Sequence, residues 1–214
     1  VYQRTLDIMV PFLAQIRDET GVTLSDLNLG GGYGVRYTAE DEAIDIPARL
    51  AELAAYLKEE TERLGLPMPR FLMEPGRSIV ADAGMTLYTV GSVKRIPGYK
   101  QYAAVDGGMT DNPRYALYQS RYTVYHAHKS GSLERFDVVG RCCESGDIIQ
   151  PGVELPGDTC RGDILAVCTT GAYNYSMASN YNRLPRPAVV MLTPDRIDEA
   201  VRRETFADLT GLDL

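Results

Sequence analysis

Two glycine-rich motifs in this chain have the composition of anion-binding loops. Gly30-Gly31-Gly32-Tyr33-Gly34 follows the apolar run 27–29, and Glu74-Pro75-Gly76-Arg77 follows the apolar run 71–73. Glycines let backbone N–H groups approach an anion closely, and an arginine adds a forked phosphate ligand. The motifs lie about one β/α unit apart, so in an α/β barrel both would end strands at the same rim. The sequence therefore predicts a divided phosphate cradle.

The acid in the second motif indicates which type of cofactor the loops can bind. The glycine run alone fits a tight turn as well as a phosphate loop, and it lacks the GxGxxG spacing of a dinucleotide fold. Glu74 stands at a predicted strand end beside Arg77, where a carboxylate can hold a protonated ring nitrogen, the polar handle of a pyridoxal cofactor. The alternative is a plain salt bridge between Glu74 and Arg77.

Three further motifs carry polar side chains with possible chemistry. Arg114 and Tyr118 lie four residues apart in the turn-rich run 106–118 (DGGMTDNPRYALY), a spacing that can grip a carboxylate or belong to a solvated hairpin. In the run 140–147 (GRCCESGD), Cys143 precedes an acid, although a structural buried cysteine is the usual alternative. Tyr173 opens the polar stretch 171–187 (GAYNYSMASNYNRLPRP), where a lone tyrosine more often serves packing.

Composition excludes several classes of partner. The chain has 214 residues and a net charge of −7, and this charge argues against binding to nucleic acid or an anionic membrane. We see no signal peptide, and no apolar run approaches the roughly 18 residues of a membrane span. The four cysteines lack metal-ligand spacing, so we expect no metal site and reduced thiols in the cytoplasm. The first residue is Val1 rather than methionine, which favours a piece of a longer protein.

The predicted elements that position these motifs fall into two regions, 1–86 and 87–214. In the first, helical spacing of apolar residues, a proline in a first turn (Pro47) and a capping glycine (Gly65) predict an α-β-α-β-α order with a parallel sheet. The predicted helices are 4–20, 47–64 and 78–83, and the strands are 27–29 and 71–73. In the second region, β-rich runs punctuated by glycine, proline and aspartate predict an antiparallel barrel or sandwich.

The second region also ends in distinctive elements. Its predicted strands are 87–96, 102–105, 122–128, 136–139, 164–168 and 189–192. The stretch 173–187 is expected to be irregular, and a terminal helix is predicted over 197–209. The fold class is therefore α/β plus all-β.

Taken together and in this order, the five motifs resemble those of diaminopimelate decarboxylases, pyridoxal-phosphate enzymes of the alanine-racemase-like class. The resemblance covers nearly the whole chain, and the last three motifs are specific at family level. It implies the C-terminal part of a (β/α)₈ barrel followed by a β-domain. The chain departs from the usual pattern at Tyr115, where proline is commoner, and at Asn174, where glycine is usual.

The resemblance also implies a role for each motif. Glu74 resembles the acid that pairs with the pyridine nitrogen, and Cys143 resembles the acid that protonates the carbanion after carbon dioxide leaves. The residues that resemble the phosphate and cofactor-binding rim are Gly31, Gly32, Gly34, Gly76, Arg77 and Tyr173. The residues that resemble the substrate-recognition groups are Arg77, Arg114, Tyr118, Glu144 and Tyr173.

The reaction implied by the resemblance is loss of carbon dioxide from the D-centre of meso-diaminopimelate, which gives L-lysine. In such enzymes Cys143 and Glu144 would reach into the neighbouring subunit's site, so a head-to-tail homodimer is implied. Two alternatives stay open. One is a related decarboxylase of a basic substrate such as ornithine, arginine or carboxynorspermidine; the other is a catalytically inactive module that dimerises or binds a partner.

One expected partner of the cofactor is missing from the sequence. Enzymes of this class hold pyridoxal phosphate as a Schiff base through a lysine early in the barrel. The lysines here lie on a predicted helix or in the β-region: Lys58, Lys94, Lys100 and Lys129. The ring-stacking histidine is absent too, because His126 and His128 lie in the β-region. We therefore expect this chain alone to be inactive, with unpaired strand edges and an exposed apolar face.

Overall fold

The computed structural model describes residues 2–214 and groups them into two compact units. The first unit contains the residues up to Arg36 and Glu42–Ile79, and the second contains Tyr37–Asp41 and Val80–Leu214. The domain boundary after residue 86 stays a prediction. In the structure, the first unit ends at Ile79 and the second unit continues from Val80. Among residues 2–214, every helix is too short or too polar to cross a membrane.

The first unit has the predicted α/β order. Its elements are α1 (Tyr2–Thr20), β1 (Asp26–Asn28), α2 (Ile46–Arg63), β2 (Arg70–Leu72) and α3 (Gly76–Val80). β1 and β2 pair in parallel with Leu27 opposite Phe71, which confirms the predicted parallel pairing, each strand one residue earlier than expected. A single residue separates the end of each strand from its glycine-rich motif.

The two long helices form because their apolar residues line one face. Leu6 and Val10 of α1 pack with Leu57 of α2 in a common core, and all three are fully buried. The Asp45 carboxylate caps α2 by accepting a hydrogen bond from the N–H of Ala48 at 3.0 Å. Gly65 has a φ of +61° just after the helix, the left-handed conformation that favours glycine. The predicted signals for both ends of α2 are therefore confirmed.

The third predicted helix was placed too late. α3 begins at Gly76, inside the second glycine motif, and ends at Val80 rather than at residue 83. The hydroxyl of Ser78 donates to the carbonyl of Pro75 at 2.9 Å, which ties the first turn to the preceding proline. Residues 81–84 form a turn in which the N–H of Ala83 donates to the carbonyl of Val80.

The second unit is a nearly closed, barrel-like sheet with a separate two-stranded ribbon. Its elements are β3 (Met85–Arg95), β4 (Gln101–Val105), α4 (Arg114–Tyr118), β5 (Val124–His126), β6 (Leu133–Val139), β7 (Ile148–Pro156), β8 (Ile164–Cys168), β9 (Val189–Leu192), β10 (Ile197–Val201) and α5 (Phe206–Thr210). The six-stranded order is β5-β8-β3-β4-β6-β7, and β9 pairs with β10. The N–H of Tyr122 donates to the Gln150 side chain at 2.9 Å, which links the two ends of the sheet.

The barrel core is made by side chains that alternate along the strands. Val90, Phe136, Val138, Ile149 and Leu165 are all fully buried and belong to one cluster. The predicted antiparallel pairing holds for every pair of the sheet except β4–β6, which is parallel with Ala103 opposite Val138. The predicted class of α/β followed by all-β structure is confirmed.

Several predicted elements of the second unit were wrong or missing. β7 was not predicted, because Pro151 and Pro156 interrupt its apolar run and proline usually ends a strand. The strand predicted over 122–128 is confined to β5. The terminal helix predicted over 197–209 is instead β10 followed by the short helix α5, which starts only at the capping box of Thr205 and Asp208.

Two connecting stretches complete this unit. The run 106–118, predicted as turns, ends in the one-turn helix α4. The stretch 173–187 is irregular as predicted, with short 3₁₀ turns at Tyr175–Met177 and Tyr181–Arg183.

Two glycines let the backbone at the start of the second unit contact the segment that leads to Tyr173. The N–H of Thr170 donates to the carbonyl of Gly84, and the N–H of Gly171 donates to that of Ala81, both at 3.0 Å. A Cβ atom at Gly171 would lie 1.9 Å from the carbonyl oxygen of Val80. A side chain at this position therefore forces the two backbones apart.

We expect Gly171→Ala to lower the free energy of unfolding by about 2 kcal/mol, because the added methyl group has no space against backbone. The matched control is Gly131→Ala, where a Cβ atom meets nothing within 4 Å. Chemical unfolding of the protein that carries this chain measures both variants. Equal stability of the two variants contradicts the close contact.

Candidate active site

The ends of β1 and β2 hold the two glycine motifs together through backbone and side-chain hydrogen bonds. The N–H of Glu74 donates to the carbonyl of Gly30 at 2.8 Å. A Cβ atom at Gly31 would lie 2.2 Å from the carbonyl oxygen of Glu74, so only glycine permits this approach. The Glu74 side chain is exposed, and its Oε1 accepts a hydrogen bond from Nδ2 of Asn28 at 2.7 Å. The two motifs predicted to share a rim are therefore in direct contact.

The glycine run is also supported from α1. The hydroxyl of Tyr2 donates to the carbonyl of Gly31, and the Tyr2 and Tyr33 rings stack with centroids 4.9 Å apart. Burial raises the pKa of both tyrosines. Gly32 is exposed with a φ of +104°, a conformation that glycine alone adopts readily. The run therefore presents backbone rather than side chains at its exposed tip.

Two large clefts differ in their relation to the predicted site residues. In the first unit a cleft of about 570 Å³ is lined by Gly31 and Gly32 together with Tyr2, Tyr33 and Arg49, among others. In the second unit a cleft of about 740 Å³ lies at the turn between β3 and β4, around Tyr99 and Lys100. None of the predicted site residues lines this second cleft, so its size alone does not make it the candidate site.

In the second unit, α4 places Arg114 among aromatic rings. The guanidinium carbon lies 5.2 Å from the centroid of the Tyr118 ring and 5.6 Å from that of Tyr173. Arg114 is only 6% exposed, and within residues 2–214 it forms no ion pair with an acid. Its Nη1 lies 3.8 Å from the sulfur of Met177, and its Nε is buried with no hydrogen-bond partner in the described residues. The structure thus brings together three of the predicted substrate-recognition residues.

Buried polar side chains surround Arg114. Asn112 is 1% exposed, and its side-chain oxygen accepts from the N–H of Arg114 at 3.4 Å. The hydroxyl of Tyr122 donates to the side-chain oxygen of Asn174 at 3.5 Å, and burial raises the pKa of Tyr122. Tyr173 has a φ of +66°, so its ring is directed by a left-handed backbone conformation that is uncommon outside glycine. Asn174, the departure from the usual glycine, is therefore a structural member of this cluster.

A single buried carboxylate joins the loop before α4 to the loop that carries the cysteines. Asp147 is 4% exposed, and its two oxygens accept from the N–H groups of Met109 and Cys142, each at 2.6 Å. Cβ atoms at Gly108 and Gly140 would lie 2.7 and 2.3 Å from this carboxylate. The charge is therefore enclosed by backbone, which explains why glycines stand at both positions.

A second buried acid braces the same loop against the sheet. The hydroxyl of Tyr88, in β3, donates to the Asp111 carboxylate, which also accepts from the N–H of Gly108 at 2.9 Å. Burial raises the pKa of Asp111, and the nearby Asp147 adds to that effect. Burial likewise raises the pKa of Tyr88 well above its usual value.

Cys143 and Glu144 lie on the exposed side of their loop. The N–H of Cys143 donates to the Asn182 side chain at 2.7 Å, and the hydroxyl of Tyr181 lies 3.5 Å from the Glu144 carboxylate. The neighbouring Cys142 is half-buried, and burial raises the pKa of its thiol, with a further contribution from the charge of Asp147. The two adjacent thiols therefore have different environments, and the exposed one is the predicted proton donor.

The irregular stretch 173–187 is held from the C-terminal side by an acid. The Glu204 carboxylate accepts from Nε and the N–H of Arg186, at 2.7 and 2.8 Å, and from the Asn180 side chain at 2.6 Å. These bonds, first of all that with the Arg186 guanidinium, lower the pKa of Glu204 to about 2. The stretch therefore has a charged anchor near the residues that contact Cys143.

None of the four lysines belongs to β1, to β2 or to the glycine-rich motifs that follow them. Lys58 is exposed on α2, and Lys94 belongs to β3. Lys100 and Lys129 pair with Asp137 and Asp163 at 2.6 and 2.7 Å. In residues 2–214 there is also no cluster of three histidine, cysteine or acidic side chains that can hold a metal ion.

Sequence reasoning missed the residues that hold the site together rather than those that face outwards. Asp147 and Asp111 lie inside the predicted motifs, and the glycine directly before Asp147 was the available signal for that residue. Asn28 lies two residues before Gly30 and was overlooked because it lies within a predicted strand. Tyr88 and Asn182 had no signal in the sequence.

Comparison with known proteins identifies one family. A family model described as the C-terminal sheet domain of pyridoxal-dependent decarboxylases matches residues 5–171. The chain is 48% identical over 204 residues to the diaminopimelate decarboxylase of Bacillus subtilis, covering 94% of this chain and 46% of that protein. It is 44% identical over 195 residues to that of Synechocystis, covering 90% of this chain and 41% of that protein. The chain thus spans about half the length of the curated relatives it matches.

Solved structures agree with this grouping. The crystal structure of diaminopimelate decarboxylase from M. jannaschii in co-complex with L-lysine superposes with a TM-score of 0.90 at 31% identity, covering 98% of this chain and 47% of that one. A lysine/ornithine decarboxylase from Vibrio vulnificus, complexed with cadaverine, gives 0.70 at 26% identity, covering 85% of this chain and 48% of that one.

The anchor at Glu204 predicts a pH-dependent contribution to stability. Because folding lowers the pKa of this carboxyl group, its stabilisation is present above about pH 4.5 and is lost as the pH falls towards about 2. Glu204→Gln should therefore lower the free energy of unfolding at neutral pH, and the difference from the unsubstituted protein should shrink on acidification. Chemical unfolding at a series of pH values measures this difference. Glu199→Gln, an exposed neighbour on β10, is the control, and a Glu204 difference that is constant with pH contradicts the prediction.

Proposed function

The chain belongs to the pyridoxal-dependent decarboxylases, and from this premise we propose that it is part of a longer enzyme that decarboxylates meso-diaminopimelate to L-lysine. The observation that carries the choice of substrate is the buried guanidinium of Arg114. A buried cation without an acidic partner is costly, and a carboxylate of the ligand removes that cost. A diamino acid with a second, distant carboxylate supplies that group, whereas lysine or ornithine as substrate does not.

The residues at the ends of β1 and β2 fit pyridoxal phosphate. Within residues 2–214, Oε2 of Glu74 has no hydrogen-bond partner, while Oε1 is held by Asn28, so the carboxylate can accept from a protonated ring nitrogen. Gly32 and Gly76 are exposed; Gly32 offers its backbone to a phosphate group, while the N–H of Gly76 donates to the carbonyl of Glu74 at 2.9 Å. The residues that would hold the cofactor are Glu74, Gly31, Gly32, Gly34, Gly76, Arg77 and Tyr173. When bound, pyridoxal phosphate supplies an electron sink for the carbanion left by carbon dioxide.

Most of the other proposed roles belong to residues of the second unit. The exposed thiol of Cys143 donates the proton that replaces the lost carboxyl group. Arg77, Arg114, Tyr118 and Tyr173 recognise the distant carboxylate end of the substrate, and Glu144 recognises its ammonium group. Because the exposed loop of Cys143 and Glu144 carries these groups outwards, we place them in the site of a second subunit of a homodimer.

The larger setting is also part of this proposal. The parallel pair β1–β2 with its helices fits the end of a (β/α)₈ barrel, and Ile8 and Phe12, exposed on α1, fit a unit that continues into further barrel elements. The lysine that binds the cofactor then lies in the other half of the enzyme, and this chain alone is inactive. The unpaired cysteines fit a cytoplasmic enzyme.

We expect Cys143→Ala to lower the turnover of the full-length enzyme by about 100-fold or more, because general-acid catalysis commonly contributes that much. Steady-state decarboxylation of meso-diaminopimelate measures the effect. Cys142→Ala, the adjacent half-buried thiol, is the matched control and should retain most of the turnover. Wild-type turnover in Cys143→Ala rules out its proposed role.

Arg114→Gln tests the choice of substrate. We expect the KM for meso-diaminopimelate to rise about tenfold or more, because a charge-assisted bond to the distant carboxylate is lost. Any residual activity on lysine or ornithine should change much less. Arg121→Gln is the control, since Arg121 is an exposed arginine paired with Glu40. An equal loss on both substrate classes excludes Arg114 as the group that selects the second carboxylate and favours a decarboxylase of simple basic amino acids.

A further inference from the structure

The Asn28 side chain links the two glycine motifs at the end of β1. Its carbonyl oxygen accepts a hydrogen bond from the N–H of Gly30 at 2.8 Å, and its Nδ2 donates to Oε1 of Glu74 at 2.7 Å. The first bond closes a local turn of the kind that asparagine forms with the residue two positions later. The second reaches across to the loop after β2. One side chain therefore holds both the glycine run and the acid.

The two bonds fix the orientation of the amide. A carboxylate offers only acceptors and a backbone N–H only a donor, so only one of the two amide orientations satisfies both partners. The turn with Gly30 thus forces the NH₂ group of Asn28 towards Glu74. The parallel pairing of β1 with β2 sets Asn28 opposite Leu72, two residues before Glu74. The sheet itself therefore keeps the amide within reach of the acid.

We propose that Asn28 is a positioning residue that fixes the Glu74 carboxylate for the pyridine nitrogen of pyridoxal phosphate. This inference rests on the proposed function. Glu74 is an exposed side chain, and without a donor its carboxylate is free to rotate into solvent. The amide of Asn28 occupies Oε1 and leaves Oε2 for the ring N–H. The same side chain shapes the turn at Gly30, so it couples the acid to the glycine run.

The test uses Asn28→Ser and Asn28→Ala in the full-length enzyme. A serine hydroxyl can still accept from the Gly30 N–H but cannot reach Glu74, whereas alanine loses both bonds. The first readout is the pH midpoint at which the bound cofactor loses its ring proton, followed by nitrogen NMR of cofactor labelled at the pyridine nitrogen. The second is the Kd for pyridoxal phosphate added to the apoenzyme. Thermal unfolding of the apoenzyme reports whether each variant folds.

We expect both variants to lower the ring-proton midpoint by about half a pH unit or more and to raise the Kd about three- to tenfold, the effect of losing one ordinary hydrogen bond at an exposed site. A normal midpoint and Kd in Asn28→Ser, with defects only in Asn28→Ala, overturns the proposal in favour of a purely structural role in the turn. If Asn28→Ser does not fold, Asn28→Asp takes its place, because its carboxylate accepts from the Gly30 N–H but has no donor for Glu74.

Glu74→Gln separates this inference from the function on which it rests. If Glu74→Gln leaves the ring-proton midpoint unchanged, the proposed role of Glu74 is wrong and the role of Asn28 falls with it. If Glu74→Gln lowers the midpoint and Asn28→Ser does not, only the present inference fails. If each substitution alone lowers the midpoint, Asn28→Ser should not lower it further in the Glu74→Gln variant, because both residues then act through the same carboxylate.

Discussion

The buried carboxylate of Asp147 is the constraint on which the second unit's candidate site depends. A buried charge must be fully hydrogen-bonded, and Asp147 meets this demand with the backbone N–H groups of Met109 and Cys142. Those two residues lie in different loops, one leading to Arg114 and the other to Cys143. Moving either loop would leave the buried carboxylate without a donor, which is unfavourable, so both loops keep a single arrangement. Gly108 and Gly140 leave the space that the carboxylate occupies.

The parts of the fold that follow from local rules could be predicted. α2 has an early proline and a terminal glycine that act within one turn of its ends, so its predicted limits were correct to one residue, although the cap at Asp45 was not predicted. The parallel pair β1–β2 followed from alternation of helices and strands. The glycine motifs were recognisable because close backbone contact admits no Cβ atom, a restriction that acts at single positions such as Gly31.

The parts of the fold that depend on tertiary contacts could not be predicted from the sequence. β7 contains Pro151, which local rules treat as a breaker, but pairing with β6 holds the strand in place. Residues 197–201 are strand only because β9 is available as a partner. Arg114 was predicted to grip a ligand, whereas its burial between two rings became visible only once Tyr173 was brought beside α4. The role of Asn28 likewise needed the distance to Glu74, a residue on another strand.

The parallel pairing of β4 with β6 has a consequence for how this protein acquires its site. Parallel neighbours cannot be joined by a hairpin, so the chain must cross from one end of the barrel to the other between them. Residues 106–132 make that crossing and carry α4 with Arg114. The segment therefore acquires its native path only when two strands distant in sequence have met, an event limited by loop closure rather than by local propensity. Ligand competence is thus a late product of folding, and substitutions that weaken β6 without changing any site residue should still impair it.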